Sequence, residues 1–123
     1  MSKAIKFPSL YLGDEKTVVI NCFDKNRNPL DLTNRTVYVT IKRNLDEADA
    51  DAIIQQVYAI NTTTVGSMQI QFTAEETLKF EVGTFPMDIR FSLQGFPNQI
   101  NYTVFGTIEI MKPVTLDVLG NGQ

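Results

Sequence analysis

From Thr84 onward the chain alternates for a whole strand's length, TFPMDIRFSL, with Phe85, Met87, Ile89, Phe91 and Leu93 on one parity and Thr84, Pro86, Asp88, Arg90 and Ser92 on the other. A second run, INYTVFGTIEI, sets Ile100, Tyr102, Val104, Ile108 and Ile110 on a shared parity. Successive side chains of an extended chain point to opposite faces, so each run predicts a strand with one buried side. The link between them, QGFPNQ, is dense in turn formers, and the two runs together predict a long antiparallel hairpin. Gly106 falls at an inward position of the second run, which predicts a bulge or a close approach of backbone there.

The same reading extends upstream. Residues 4 to 11 predict a first strand, and Pro8, which has no N–H to give a ladder, places it at a sheet edge. Gly13 and Asp14 punctuate the chain, and Lys16 to Phe23 resumes as a strand with Val18, Ile20 and Cys22 inward. Its other face, Thr17, Val19, Asn21 and Phe23, is apolar enough to predict cover on both sides. After the turn-forming DKNRNP, Val37, Val39 and Ile41 alternate with Thr36, Tyr38, Thr40 and Lys42. The acidic stretch that follows predicts a loop or single turn to about Asp51 and then a strand to Ile60, with a short helix over Asp46 to Gln56 as the rival.

Met68, Ile70 and Phe72 define one face of a further strand. Thr73 and Glu76 then have the T-x-x-E spacing in which a hydroxyl and a carboxylate reciprocally cap a helix start. A short helix to about Phe80 is expected, with Leu78 turned to the core and Gly83 closing the connector. No long helices alternate with the strands, so an antiparallel β-sandwich is favoured over a parallel α/β fold. A length of 123 residues fits one domain spanning 1–123. Its terminal segments, the first ten residues and LDVLGNGQ, are the parts expected to order on assembly.

Composition narrows the chemistry. The chain has no histidine, which removes imidazole-based triads and most nitrogen-ligated zinc sites. Cys22 is the sole cysteine, so no intrachain disulfide or thiolate cluster forms, and its parity makes it a small buried thiol. A net charge of -3 disfavours a nucleic-acid surface, which needs concentrated Lys and Arg. Lys25, Arg27 and Arg35, and separately Lys42 and Arg43, are flanked by acids and read as solvated. No run approaches a membrane span and the start MSKAIKFPSL lacks a secretion signature, so the chain reads as made in the cytoplasm, without membrane insertion. The Asn-x-Thr triplets at Asn34, Asn61 and Asn101 are accordingly read as coincidental.

Three constellations offer chemistry in competition with plain surface or structural roles. Asp46, Glu47, Asp49 and Asp51 lack the glycine and closing glutamate of an EF-hand loop and read as a solvated acidic insertion. Asp88 and Glu109 are the carboxylates a glycosidase-like site would need, and read as ordinary polar-face residues. The scattered glycines build no phosphate loop. No catalytic, cofactor or metal residue is assigned, and no cofactor is expected. Outward aromatics remain: Tyr38, Phe96 and Phe105 are the candidate interaction surface, since aromatics gain most from desolvation at an interface.

GDEKTVVI at 13–20, NPLDLTNRTVYVTIKRN at 28–44, DEADADAII at 46–54 and GSMQIQFTAEETLKFEVGTFPMDIRF at 66–91 together resemble small immunoglobulin-like β-sandwich domains of tailed-bacteriophage virions. The chain is most similar in type to the amino-terminal domain of baseplate upper proteins and related tail or head-fibre attachment proteins, over roughly residues 10 to 112. Phe85 stands where an aromatic opens a strand in that pattern, and Asp88 and Ile89 match its following pair. The resemblance implies an immunoglobulin-like sandwich, no enzymatic activity, a place in the virion, and other virion subunits as partners in an oligomeric assembly. No fibre or receptor-binding region follows the sandwich, which leaves adaptor, completion, decoration and baseplate stations open. A phage-encoded module binding a host protein and a carboxylate-dependent hydrolase are the alternatives.

Overall fold

The computed structural model describes residues 5–61, 63–96 and 99–113. The protein is all-β, with one six-stranded mixed sheet and one two-stranded antiparallel sheet. Its strands are β1 (Ile5–Lys6), β2 (Leu10–Tyr11), β3 (Lys16–Asn21), β4 (Arg35–Ile41), β5 (Ile54–Ile60), β6 (Ser67–Phe72), β7 (Gly83–Leu93) and β8 (Ile100–Met111). The large sheet runs β1-β8-β7-β4-β5, with β2 also on β8, and the small sheet is β3-β6. All of LDVLGNGQ and the first four residues lie outside the described residues.

The alternating runs fold as their parity dictates. Val37, Val39 and Ile41 of β4 and Met87, Ile89 and Phe91 of β7 are buried, and their strands pair antiparallel with Val39 opposite Ile89. Val18 and Ile20 of β3, Cys22, and Ile70 and Phe72 of β6 join the same core cluster. Both sheets therefore bury one face in common. Phe80 and Phe85, with ring centroids 5.6 Å apart, pack at its margin.

The predicted first strand is real but broken. Pro8 separates β1 from β2, and both lie parallel against β8 at the sheet edge. Phe7 in the gap is buried and keeps the run attached through its N–H to the Thr107 carbonyl, 2.9 Å away. The acidic stretch forms a 3-10 turn at Asp49–Asp51 and then β5, so the strand reading of 54–60 holds over the helical rival.

Several expectations need correction. The outer face of β3 is not covered: Val19 is 53% exposed and Phe23 is exposed beyond it. The capping box of Thr73 and Glu76 is present in both directions, but helix α1 spans only Ala74–Thr77. With so short a helix, Leu78 already lies past its last turn and is 64% exposed, while Thr77 and Phe80 take the buried places. In the hairpin, Leu93 ends exposed beside the turn and Ser92 is buried instead. A register shift after Phe91 pairs Phe91 with Tyr102 but Ser92 with Ile100. Cross-strand partners share a face, so this bulge moves Ile100 to the side carrying Ser92 and Arg90.

Where β5 and β6 pass edge to edge, side chains stand in for a ladder. The Gln56 amide donates to the Gln71 carbonyl at 2.9 Å and to a Glu76 carboxylate oxygen at 3.0 Å. The Gln71 N–H in turn donates to the Tyr58 hydroxyl at 3.3 Å.

Candidate functional site

The solvent side of the large sheet carries an open groove of about 510 Å³. Its floor follows from register. Thr40 lies opposite Asp88, and Asp88 opposite Phe105; two rungs along, Tyr38 lies opposite Arg90. Because residues two apart on a strand share a face, Tyr38, Thr40, Asp88, Arg90 and Phe105 all emerge on the same side. Ile100, turned outward by the bulge, closes one end.

The excursion between β4 and β5 supplies one wall, with Leu45 and Asp49 facing the groove. Local bonds shape it. Asn44 accepts the Asp46 N–H on its side chain at 3.1 Å and the Glu47 N–H on its carbonyl at 3.2 Å. Glu47 then accepts both the Arg43 backbone N–H and its guanidinium, each at 3.0 Å, and Arg43 also donates to the Asp51 carbonyl at 3.0 Å. Lys42 reaches from the floor to Asp49, 2.7 Å away.

These contacts divide the acidic run into separate pairs. The Glu47 carboxyl is held below its ordinary pKa chiefly by the Arg43 N–H, and that of Asp49 chiefly by its hydrogen bond with Lys42. Among the described residues no three acidic or thiol side chains converge as a metal site would need.

Asp88 behaves differently. It is partly buried in the floor, and that burial pushes its carboxyl above the usual range, against the opposing pull of the Arg90 and Lys42 charges. The carboxylate proposed as its catalytic companion, Glu109, pairs with the rung of Thr84, four rungs away. At about 3.3 Å per residue that is a separation of roughly 13 Å, beyond the range of paired glycosidase carboxyls. Glu109 instead accepts from Ser9 at 3.4 Å and meets Lys6 at 4.0 Å on the sheet edge.

Of the three outward aromatics, Tyr38 and Phe105 come together on the groove, while Phe96 stands apart at the hairpin tip, 54% exposed. Sequence reading missed Leu45, Arg90 and Ile100 as groove residues. Arg90 shares parity with Asp88 in plain view, but nothing local signals that β4 would lie beside β7. Cys22 is fully buried, and burial pushes its thiol up to about 11, leaving no thiolate at neutral pH. No helix among the described residues is long and apolar enough to cross a membrane. Compared with known proteins, the chain matches no protein-family model and no curated sequence.

Proposed function

We propose that the protein is a non-enzymatic structural component of a tailed-bacteriophage virion, an adaptor at a baseplate, tail, head-completion or fibre-attachment station, acting through protein-protein contacts. The reading takes the fold as an immunoglobulin-like sandwich. Its strand order supports this: β8-β7-β4-β5 follows the G-F-C-C′ order of a variable-type sheet, and β3-β6 the central B-E pair of the facing one. The motif resemblance over residues 10 to 112 supplies the virion setting.

The observation that carries the reading is the groove itself. Tyr38 and Phe105 converge on the open face of the large sheet, with Leu45 and Ile100 at its borders and Asp88 and Arg90 between them. Tyr, Phe and Arg are residue types enriched at protein-protein interfaces. Repetition by symmetry in a particle turns one such modest contact into a durable assembly. Native mass measurement of purified virions and their disassembly products tests this. The chain is expected at fixed stoichiometry with a virion subunit; its consistent absence from particles rejects the reading, and a stoichiometric host partner without incorporation replaces it with a host-binding module.

A further inference from the structure

The two-stranded sheet has two long edges, and only one is protected. In an antiparallel ladder, residues alternate between those that bond to the partner strand and those that turn N–H and C=O away from it. Gln71 turns away from β3, since its N–H and C=O are bonded to Tyr58 and Gln56. Its register partner is Thr17, which must likewise turn away from β6, and Val19 and Asn21 follow by alternation. Cys22 agrees from the other parity, donating toward β6 to the Gly66 carbonyl at 2.8 Å. Among the described residues nothing bonds to the outward backbone groups of Thr17, Val19 and Asn21. The Phe23 backbone, next in that alternation, bonds to the Tyr102 hydroxyl.

That edge also lacks the usual protection. Natural edges are blunted by charge, proline or a bulge, and TVVIN from Thr17 to Asn21 has none of these. The strands that precede it, β1 and β2, lie on β8 in the other sheet. Two large apolar side chains stand exposed on its outer face, Val19 at 53% and Phe23 at 50%. Charge sits at its two ends, with Glu15 and Lys16 before the apolar run and Asp24 and Lys25 after it. Among the described residues none of these four is in an ion pair.

We propose that the β3 edge pairs antiparallel with the β3 edge of a second copy, closing a twofold dimer centred on Ile20. The order of charges selects both the occupant and the register. Bonded rungs must join outward residues, so odd positions of one strand face odd positions of the other. Centred on Ile20, Val19 lies opposite Asn21, Lys16 opposite Asp24 and Glu15 opposite Lys25, and the twofold repeats each pair. Opposite charges across a rung stabilise a sheet and like charges oppose it. Centred on Val19, Asp14 would instead face Asp24, and centred on Val18, Lys16 would face the buried Ile20. The Ile20 register also makes Val19 a diagonal neighbour of both Val19 and Phe23 of the other copy, so the exposed apolar side chains of the two edges cover one another. Main-chain bonds give such an added strand its affinity. A contact of one strand with itself is isologous and closes at two copies. It stands without the virion reading.

Sedimentation of the full chain over a range of concentrations, with three variants, tests the proposal. Val19→Pro removes only an outward N–H and leaves the β6 ladder intact. Glu15→Lys and Lys25→Glu change side chains that make no hydrogen bond or ion pair within the chain. The full chain should rise from monomer to dimer mass and stop there, and Val19→Pro should stay monomeric with native circular dichroism. Each charge variant alone puts like charges on two rungs and should dimerise about tenfold more weakly. An equimolar mixture of the two places Lys opposite Glu on both rungs and should recover the affinity of the full chain. A full chain that stays monomeric, or whose mass climbs past the dimer, overturns the proposal. So does a dimer that survives Val19→Pro, or a mixture that associates no better than either charge variant alone.

Discussion

A side chain at Gly106 would collide with the backbone carbonyl of Ile5, because β1 crosses β8 at that rung with no room for a Cβ. The contact is backbone against backbone, so no side-chain rotation relieves it. Gly106→Ala is therefore expected to cost about 1–3 kcal/mol, the range of overpacked sites. The loss should fall on the N-terminal edge first. Hydrogen exchange is expected to speed up at Phe7 and Leu12, whose N–H groups bond to the Thr107 and Met111 carbonyls, while the β4 and β7 amides keep their protection. Unchanged exchange at Phe7 would show that β1 tolerates the added methyl.

Thr77 ties the short helix to the turn before β3. It is fully buried; its hydroxyl accepts the Gly13 N–H at 3.0 Å and lies 3.0 Å from the carbonyls of both Asp14 and Ala74. Replacing it with the near-isosteric Val leaves the Gly13 donor without a partner, at a cost of about 1–3 kcal/mol. Thr77→Ser should recover much of that loss in urea denaturation. Equal stability of the Val and Ser variants would show that packing, not the hydroxyl, matters there.

Ser92 presents the opposite case. Its hydroxyl is buried with no hydrogen-bond partner, so it is desolvated without return. Ser92→Ala should be neutral or stabilising by up to about 1 kcal/mol, by the same denaturation measurement.

Asp88 sets a pH signature. Its folded pKa is raised above the ordinary 3.8 by burial, so between those values the folded state binds more protons than the unfolded chain. Stability from this group therefore falls as pH rises through that window, and below it both states are protonated and the effect vanishes. Asp88→Asn is expected to raise the melting temperature at pH 7 and to leave it nearly unchanged below pH 3.8. A gain of equal size at both pH values would point to packing instead of charge.

Parity alone made much of this fold legible, because burial on one face writes itself into every second residue of β4, β6, β7 and β8. The Thr73 and Glu76 capping box was equally legible, since it depends only on residues three apart. The failures come where a local pattern meets a nonlocal constraint. Leu78 has the right chemistry for a core position, but α1 ends at Thr77 and the chain turns before Leu78 can face inward. Ile100 continues the parity of Tyr102, yet the bulge opposite Phe91 and Ser92 reverses it. The groove suffers from both effects: Tyr38 and Phe105 could be read as outward, but their convergence depends on β7 lying between their strands, which no short stretch of sequence encodes.

Tyr38 and Phe105 also provide the sharpest test of the groove as a docking face. Both emerge on the solvent side of the large sheet, and neither belongs to the core cluster. Truncation to Ala should therefore cost the fold less than the 3–5 kcal/mol typical of a core aromatic. If they anchor a partner, each truncation should weaken binding by at least about 2 kcal/mol, the scale of interface hot spots. Particles assembled with the double variant Tyr38→Ala and Phe105→Ala are expected to lack the chain, while the purified variant still unfolds cooperatively. Phe96→Ala, on a more exposed aromatic outside the groove, should be incorporated normally. Loss of incorporation in Phe96→Ala with retention in the double variant would move the contact from the sheet face to the hairpin tip.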